Sequence, residues 1–149
     1  SLIVVGRGKK GKFLNLMKNL GLETGRVKFA GQTGNVERFY GASDFFVLPT
    51  QYDPSSNACF EAMACGLPVI TTATNGASEV LTSGKDGFIL DDWQDDISLK
   101  RFFFELMDDG QRRVMGEAAA RKIKDFTVER CVNEIIKVCE EAMKGKGRG

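Results

Sequence analysis

Five short apolar runs, at 2–6, 26–30, 44–49, 67–72 and 87–91, recur along the chain, separated by stretches with helical character. Leu2-Ile3-Val4-Val5 is typical: it is β-branched and uncharged, the composition of a strand buried in a parallel sheet. Helices are predicted at 10–20, 36–42, 57–65, 77–82, 97–108, 112–126 and 128–143. Gly21, Gly66 and Gly110 fall where helices should stop, since glycine takes the left-handed conformation that closes a helix. Such alternation predicts an α/β fold, a Rossmann-like, doubly wound parallel sheet. Ligands of such folds sit at the carboxyl ends of the strands.

With 149 residues the chain has one domain's worth of core, and 42% hydrophobic and 28% charged residues fit a globular chain rather than a disordered one. A formal net charge of +1 offers no overall field to recruit nucleic acid or an anionic membrane. The four cysteines, at 59, 65, 131 and 139, lack CxxC spacing. They read as small buried apolar residues in a reducing compartment rather than as a metal site. The sequence contains no histidine, so a histidine base or a Ser-His-Asp triad is impossible within it. No leader is expected, and no apolar run approaches the ~20 residues that span a bilayer. Because the first strand starts without a lead-in, the chain is expected to begin inside a fold. A domain over 1–143 and a flexible, glycine-rich basic tail over 144–149 are expected.

The segment from 52 to 69 carries the most chemistry. Pro54, Ser55, Ser56 and Asn57 are cap-type residues that start a helix, whose first N–H groups lack intrahelical partners. Those donors lie at the positive end of the helix dipole and suit a phosphate. Glu61 follows about 7 Å further along the axis, the scale of the step from a diphosphate to its ribose. A carboxylate there can accept charge-assisted bonds from two adjacent hydroxyls. Asp53, in the preceding loop, can take hydroxyls of whatever the diphosphate carries. The plain alternative is ordinary helix capping with Glu61 as an exposed helix residue.

A second glycine-rich segment gives rival readings. Gly6-Arg7-Gly8-Lys9-Lys10-Gly11 matches the G-x-G-x-x-G dinucleotide fingerprint between a strand and a helix. The next strand, Val27-Lys28-Phe29-Ala30, ends in Gly31 and Gln32, so the acid that would take a nicotinamide nucleotide's ribose is missing. Extended to Lys12 the stretch also fits a P-loop, but Phe13 stands where a Ser or Thr must bind magnesium. Either Gly6 and Gly8 make a tight turn beside a solvated basic face of Arg7, Lys9, Lys10 and Lys12, or this segment, with Gly6 and Arg7, touches a phosphate.

With these residues located, the chain resembles the C-terminal, donor-binding half of a retaining family-4 (group 1) glycosyltransferase of the GT-B fold, truncated at its N-terminus. In that family Glu, seven residues and Glu precede Ala-Met-Ala-x-Gly-x-Pro-Val. Here Asp53 and Glu61 take the two acid positions and Ala62-Met63-Ala64-Cys65-Gly66-Leu67-Pro68-Val69 continues the pattern. Val27 to Gly31, Tyr40-Gly41-Ala42-Ser43-Asp44 and the loop from Thr72 to Glu79 resemble the family's next most regular segments, so the likeness covers roughly 2 to 140. Val4-Val5-Gly6 with Lys12-Phe13 is similar to lipopolysaccharide-core glucosyltransferases of Gram-negative bacteria.

The resemblance implies that Asp53 and Glu61 are the catalytic pair, Glu61 on the ribose hydroxyls and Asp53 on the transferred sugar. It places the N–H groups of Ser56, Asn57 and Ala58 on the diphosphate, and Gly31 and Gln32 beside the base. It implies a nucleotide-sugar donor, with UDP-glucose the guess and GDP- and ADP-sugars the alternatives, and no cofactor. No metal is expected, since no Asp-x-Asp pair occurs. A cytoplasmic enzyme is implied, with peripheral association at the inner face of the membrane. A noncatalytic nucleotide-binding or assembly module of the same fold is the competing reading.

Three departures matter. Asp53 replaces Glu, one methylene shorter, and Ser56 stands where the family has Gly. The Arg and Lys that neutralise the diphosphate, and the acceptor-binding domain, belong to segments before this chain's first strand. A donor half without turnover on its own is therefore expected. Finally, Val128, Cys131, Val132, Ile135, Val138, Cys139 and Ala142 form a helical stripe, expected to pack on the core, the alternative being an exposed face reaching toward the missing half.

Overall fold

The computed structural model describes residues 1–8, 10–22 and 24–146. It divides into two compact units, 1–42 and the remainder from Ser43.

In the first unit, β1 (Leu2–Val5) and β2 (Val27–Gly31) pair in parallel. Leu2 lies opposite Val27 and Val4 opposite Phe29, and a register shift after Val4 brings Val5 to Gly31. The crossover contains α1 (Lys10–Asn19), closed by Gly21 at φ 64°, as expected. A 3-10 turn over Thr24–Arg26 precedes β2, and α2 (Glu37–Gly41) ends the unit with Tyr40 buried. Lys9, part of the basic face read in the sequence, lies outside the described residues.

The second unit holds β3 (Phe46–Leu48), α3 (Asn57–Ala64), β4 (Val69–Thr72), a 3-10 turn (Gly76–Glu79), β5 (Gly87–Leu90), α4 (Asp96–Glu105), α5 (Asp109–Ile123) and α6 (Val128–Lys146). Its three strands pair in parallel in the order β3-β4-β5, with Val47 opposite Ile70 and Ile70 opposite Phe88. All four residues of β4 are buried, as a central strand covered on both faces requires. Ile70, Phe88 and Leu90 meet Phe102, Leu106 and Met115 of α4, its end and α5. The Phe88 and Phe102 rings stack with centroids 4.3 Å apart. Cys59, Ala62 and Met63 seal the core from α3, and Gly66, at φ 78°, closes that helix. The α/β class with parallel strands is as expected; the strands form two hydrogen-bonded sets.

Several boundaries differ from the sequence expectation. Gly110 stops no helix: it lies in the first turn of α5. Two aspartates set these starts, Asp95 accepting from Ser98 N at 2.9 Å and Asp108 from Gln111 N at 2.7 Å. Leu106, fully buried, takes the cap position of α4 as the chain turns into the core. The helix expected at 77–82 is only the turn Gly76–Glu79, capped by Asn75. The last helix continues through Lys146, so 144–146 extend it, and 147–149 lie outside the described residues. The stripe on α6 does not pack on a core. Every side chain from Val128 to Lys144 is exposed, with Val128 at 77% and Ile135 at 58%.

Candidate functional site

The sequence-predicted residues fall into two groups, one in each unit. In the first unit Gly6, Arg7, Gly31 and Gln32 come together at the carboxyl ends of β1 and β2, lining a cleft of about 440 Å³ with Phe13 and Phe29. Gly6 and Gly31 both have positive φ, 136° and 78°, a backbone that L side chains rarely adopt. Gly6 N donates to Gly31 O at 2.9 Å, which ties the two strand ends together. Arg7 Nε donates to Gln32 Oε1 at 2.6 Å, and Lys10 Nζ to the Phe29 carbonyl at 3.0 Å. The cleft is therefore an apolar floor with a glycine rim and two cations.

In the second unit β3 delivers the loop of Asp53, and α3 begins at Asn57 with Ser56 in the extended N-cap position. The predicted helix start is thus observed, with Ser56, Asn57 and Ala58 at its opening and Glu61 in its second turn. Ser56 makes no side-chain capping bond. It is buried, and its hydroxyl is directed to the Cys59 thiol instead. Asp53 accepts from Ser55 N at 3.1 Å, a local turn that sets the approach to the helix. Glu61 is exposed and lines a cleft of about 340 Å³ with Phe60, Ala64, Ala120, Ile123 and Phe126, where Lys124 is the one cation.

Sequence reasoning missed the layer beneath. Asp53 and Asn75 form an isolated parallel bridge: Asp53 N donates to Thr74 O at 3.3 Å and Gly76 N to Asp53 O at 2.9 Å. Thr72 Oγ1 donates to Thr50 O at 2.7 Å, and Thr74 Oγ1 bonds the same carbonyl at 3.3 Å. The end of β4 therefore grips the loop that carries Asp53. Cys65, Cys131 and Cys139, expected to be buried, are exposed; Cys59 is the exception. It is fully buried, and that burial pushes its thiol pKa up against hydrogen bonds from Ser56, Thr71 and Asn75. The signal in the sequence was Asn75-Gly76, with only Ala73 and Thr74 between it and a β-branched strand, a turn dipeptide whose partner loop no local pattern reveals. Among the described residues no three Cys, Asp or Glu side chains cluster as metal ligands, and no helix is long and apolar enough to cross a membrane.

Parallel strands joined by helices, with the candidate residues at strand ends and on the helix that follows, define a doubly wound α/β protein with a Rossmann-like plan. The chain belongs to the family of group 1 glycosyl transferases, whose family model matches residues 1–109. It is 36% identical over 109 residues to the lipopolysaccharide core biosynthesis glycosyltransferase LpsD of Rhizobium meliloti, covering 72% of this chain and 31% of the relative. It is 29% identical over 150 residues to the N-acetyl-alpha-D-glucosaminyl L-malate synthase of Bacillus anthracis, covering 99% and 39%. Among solved structures, sucrose-phosphate synthase of Thermosynechococcus elongatus aligns with a TM-score of 0.82 at 24% identity, covering 97% of this chain and 39% of that one. HepE of Anabaena, in complex with UDP-glucose, aligns with a TM-score of 0.80 at 23% identity, covering 93% and 40%. These neighbours have the GT-B glycosyltransferase fold. The chain spans about two fifths or less of each of these proteins.

Proposed function

We propose that this chain is the donor-binding part of a longer glycosyltransferase that moves a sugar from a nucleoside-diphosphate sugar to an acceptor, with retention at the anomeric carbon. One observation carries the reading: in a chain of the group 1 family, α3 opens directly after the Asp53 loop with no side-chain cap and carries Glu61 in its second turn. The other long helices of that unit with a described cap, α4 and α5, use an aspartate there. A helix start without a capping carboxylate suits an incoming diphosphate.

In this reading the N–H groups of Ser56, Asn57 and Ala58 take the diphosphate, Glu61 accepts from the ribose hydroxyls, and Asp53 positions hydroxyls of the transferred sugar. In the first unit, Gly31 and Gln32 are proposed beside a base, and Gly6 and Arg7 on a phosphate. UDP-glucose is the donor put forward, supported by HepE, whose structure was solved with it. The protein's main contribution to the rate is electrostatic stabilisation of the departing diphosphate, without a metal. The acceptor site lies in the remainder of the longer protein. Similarity to the core biosynthesis enzymes LpsD and, at 33% identity, LpsB supports an acceptor in cell-envelope polysaccharide or lipopolysaccharide synthesis. A cytoplasmic location, with peripheral contact at the inner membrane face, goes with such an acceptor.

Sugar transfer from UDP-glucose, followed in the longer protein, tests this. Glu61→Ala lowers turnover by roughly 10²-fold or more, the scale of losing one charge-stabilising group. Undiminished turnover in that variant refutes the assignment. Tight UDP binding with no transfer by the longer protein would favour a noncatalytic nucleotide-binding module instead.

A further inference from the structure

Asn75 is fully buried, and each of its polar groups has a place in the network. Its side-chain Oδ1 accepts from Ala77 N at 3.0 Å. Its Nδ2 donates to Thr71 Oγ1 at 2.9 Å and lies 3.6 Å from the Cys59 sulfur. Its main chain donates to Thr72 O at 3.0 Å and accepts from Ser78 N at 2.8 Å. One carboxamide thus joins β4, the Gly76–Glu79 turn and the first turn of α3. The same residue forms the bridge with Asp53, and the neighbouring Gly76 N holds the Asp53 carbonyl. Only a side chain that accepts on one atom and donates from the next, at this length, satisfies both Ala77 and Thr71. A buried site has no water to replace a lost partner.

We propose that Asn75 is a positioning residue for the nucleotide site, holding the Asp53 loop and the start of α3 in the arrangement that receives a diphosphate. This rests on the donor-site reading above. Asn75 touches no ligand in this role; it acts through Asp53 and through Cys59 on α3.

The test titrates UDP, GDP and ADP into the native chain and into Asn75→Ala, Asn75→Asp and Glu61→Ala, each first shown to be folded by circular dichroism. In Asn75→Ala the dissociation constant of the best-bound nucleotide rises by about tenfold or more, because Ala77 N–H loses its acceptor and Thr71 Oγ1, which still donates to Leu48 O, loses its donor. A merely structural asparagine would lower the melting temperature while leaving the affinity of the folded chain unchanged. Asn75→Asp adds a pH signature: the ionised carboxylate cannot donate to Thr71, whereas the protonated acid accepts at one oxygen and donates from the other. Burial raises a carboxyl pKa, so relative to the native chain Asn75→Asp binds about tenfold more weakly near pH 8 and recovers to within about twofold near pH 5. Asp53 and Cys59 are the titratable groups facing this position from the packed loop and helix. Measuring the native chain at the same pH values accounts for both. Should Asn75→Ala fail to fold, the equally sized Asn75→Asp carries the test. Native affinity in the Asn75 variants at both pH values, with binding lost in Glu61→Ala, overturns the role of Asn75 and leaves the donor-site reading standing. A native chain that binds none of the three nucleotides overturns both.

Discussion

Gly76 has no room for a side chain: a Cβ built there meets the Pro54 carbonyl, within the loop that carries Asp53. Gly76→Ala must therefore push two backbones apart, which costs roughly 1–3 kcal/mol as overpacking does. Chemical denaturation reads the loss, and an unchanged midpoint would show that the two loops do not pack as closely as described. At this scale the placement of Asp53 in a loop and Glu61 on the helix that follows was legible from the sequence, because one loop and one helix fix it. Asn75, Thr71 and Cys59 were not, because their roles come from a contact between the end of β4 and a helix more than ten positions earlier. Ser56 illustrates the same limit. Its identity predicted a capping side chain, but burial turns its hydroxyl toward Cys59.

Among the elements, strands and helices were legible almost throughout, since short β-branched runs and glycine stops are local signals. The errors sit where another signal won: aspartate caps at Asp95 and Asp108 fix α4 and α5, and Gly110 is merely inside the second of them. The tie between α5 and the loop before β5 was invisible in the sequence. Lys122 Nζ pairs with Asp86 at 2.7 Å and also reaches Thr82 Oγ1 at 2.6 Å, while Asp86 Oδ1 accepts from Thr82 N at 2.7 Å. The Asp86 side chain is 6% exposed, so removing its cation leaves a charge that water cannot reach. Lys122→Met is expected to lower unfolding free energy by roughly 3 kcal/mol, measured by urea denaturation. A change below about 0.5 kcal/mol, the size usual for a surface substitution, would mean that the pair is solvated.

For the whole molecule, the exposed faces matter most. The α6 stripe was expected to pack, yet Val128, Val132, Ile135 and Val138 all face solvent, since no described element of the second unit covers them. Periodicity reveals that a helix has an apolar face; it does not say where the covering surface lies. A contiguous face of this kind makes a chain self-associate. Sedimentation velocity of the 149-residue chain is expected to give a weight-average mass that rises with concentration, and Ile135→Glu to reduce that rise. A clean monomer over a wide concentration range contradicts it. The fold class was legible from alternation alone, whereas the division into two units was not, because it depends on which strands find hydrogen-bond partners.

The central claim is that the opening of α3 and Glu61 hold a nucleoside diphosphate. A crystal structure of the chain with UDP tests it most directly. The diphosphate is predicted within hydrogen-bond distance of the N–H groups of residues 56–58, with the ribose hydroxyls on the Glu61 carboxylate. UDP bound with its phosphates away from that helix start, or with its ribose out of reach of Glu61, would contradict the account.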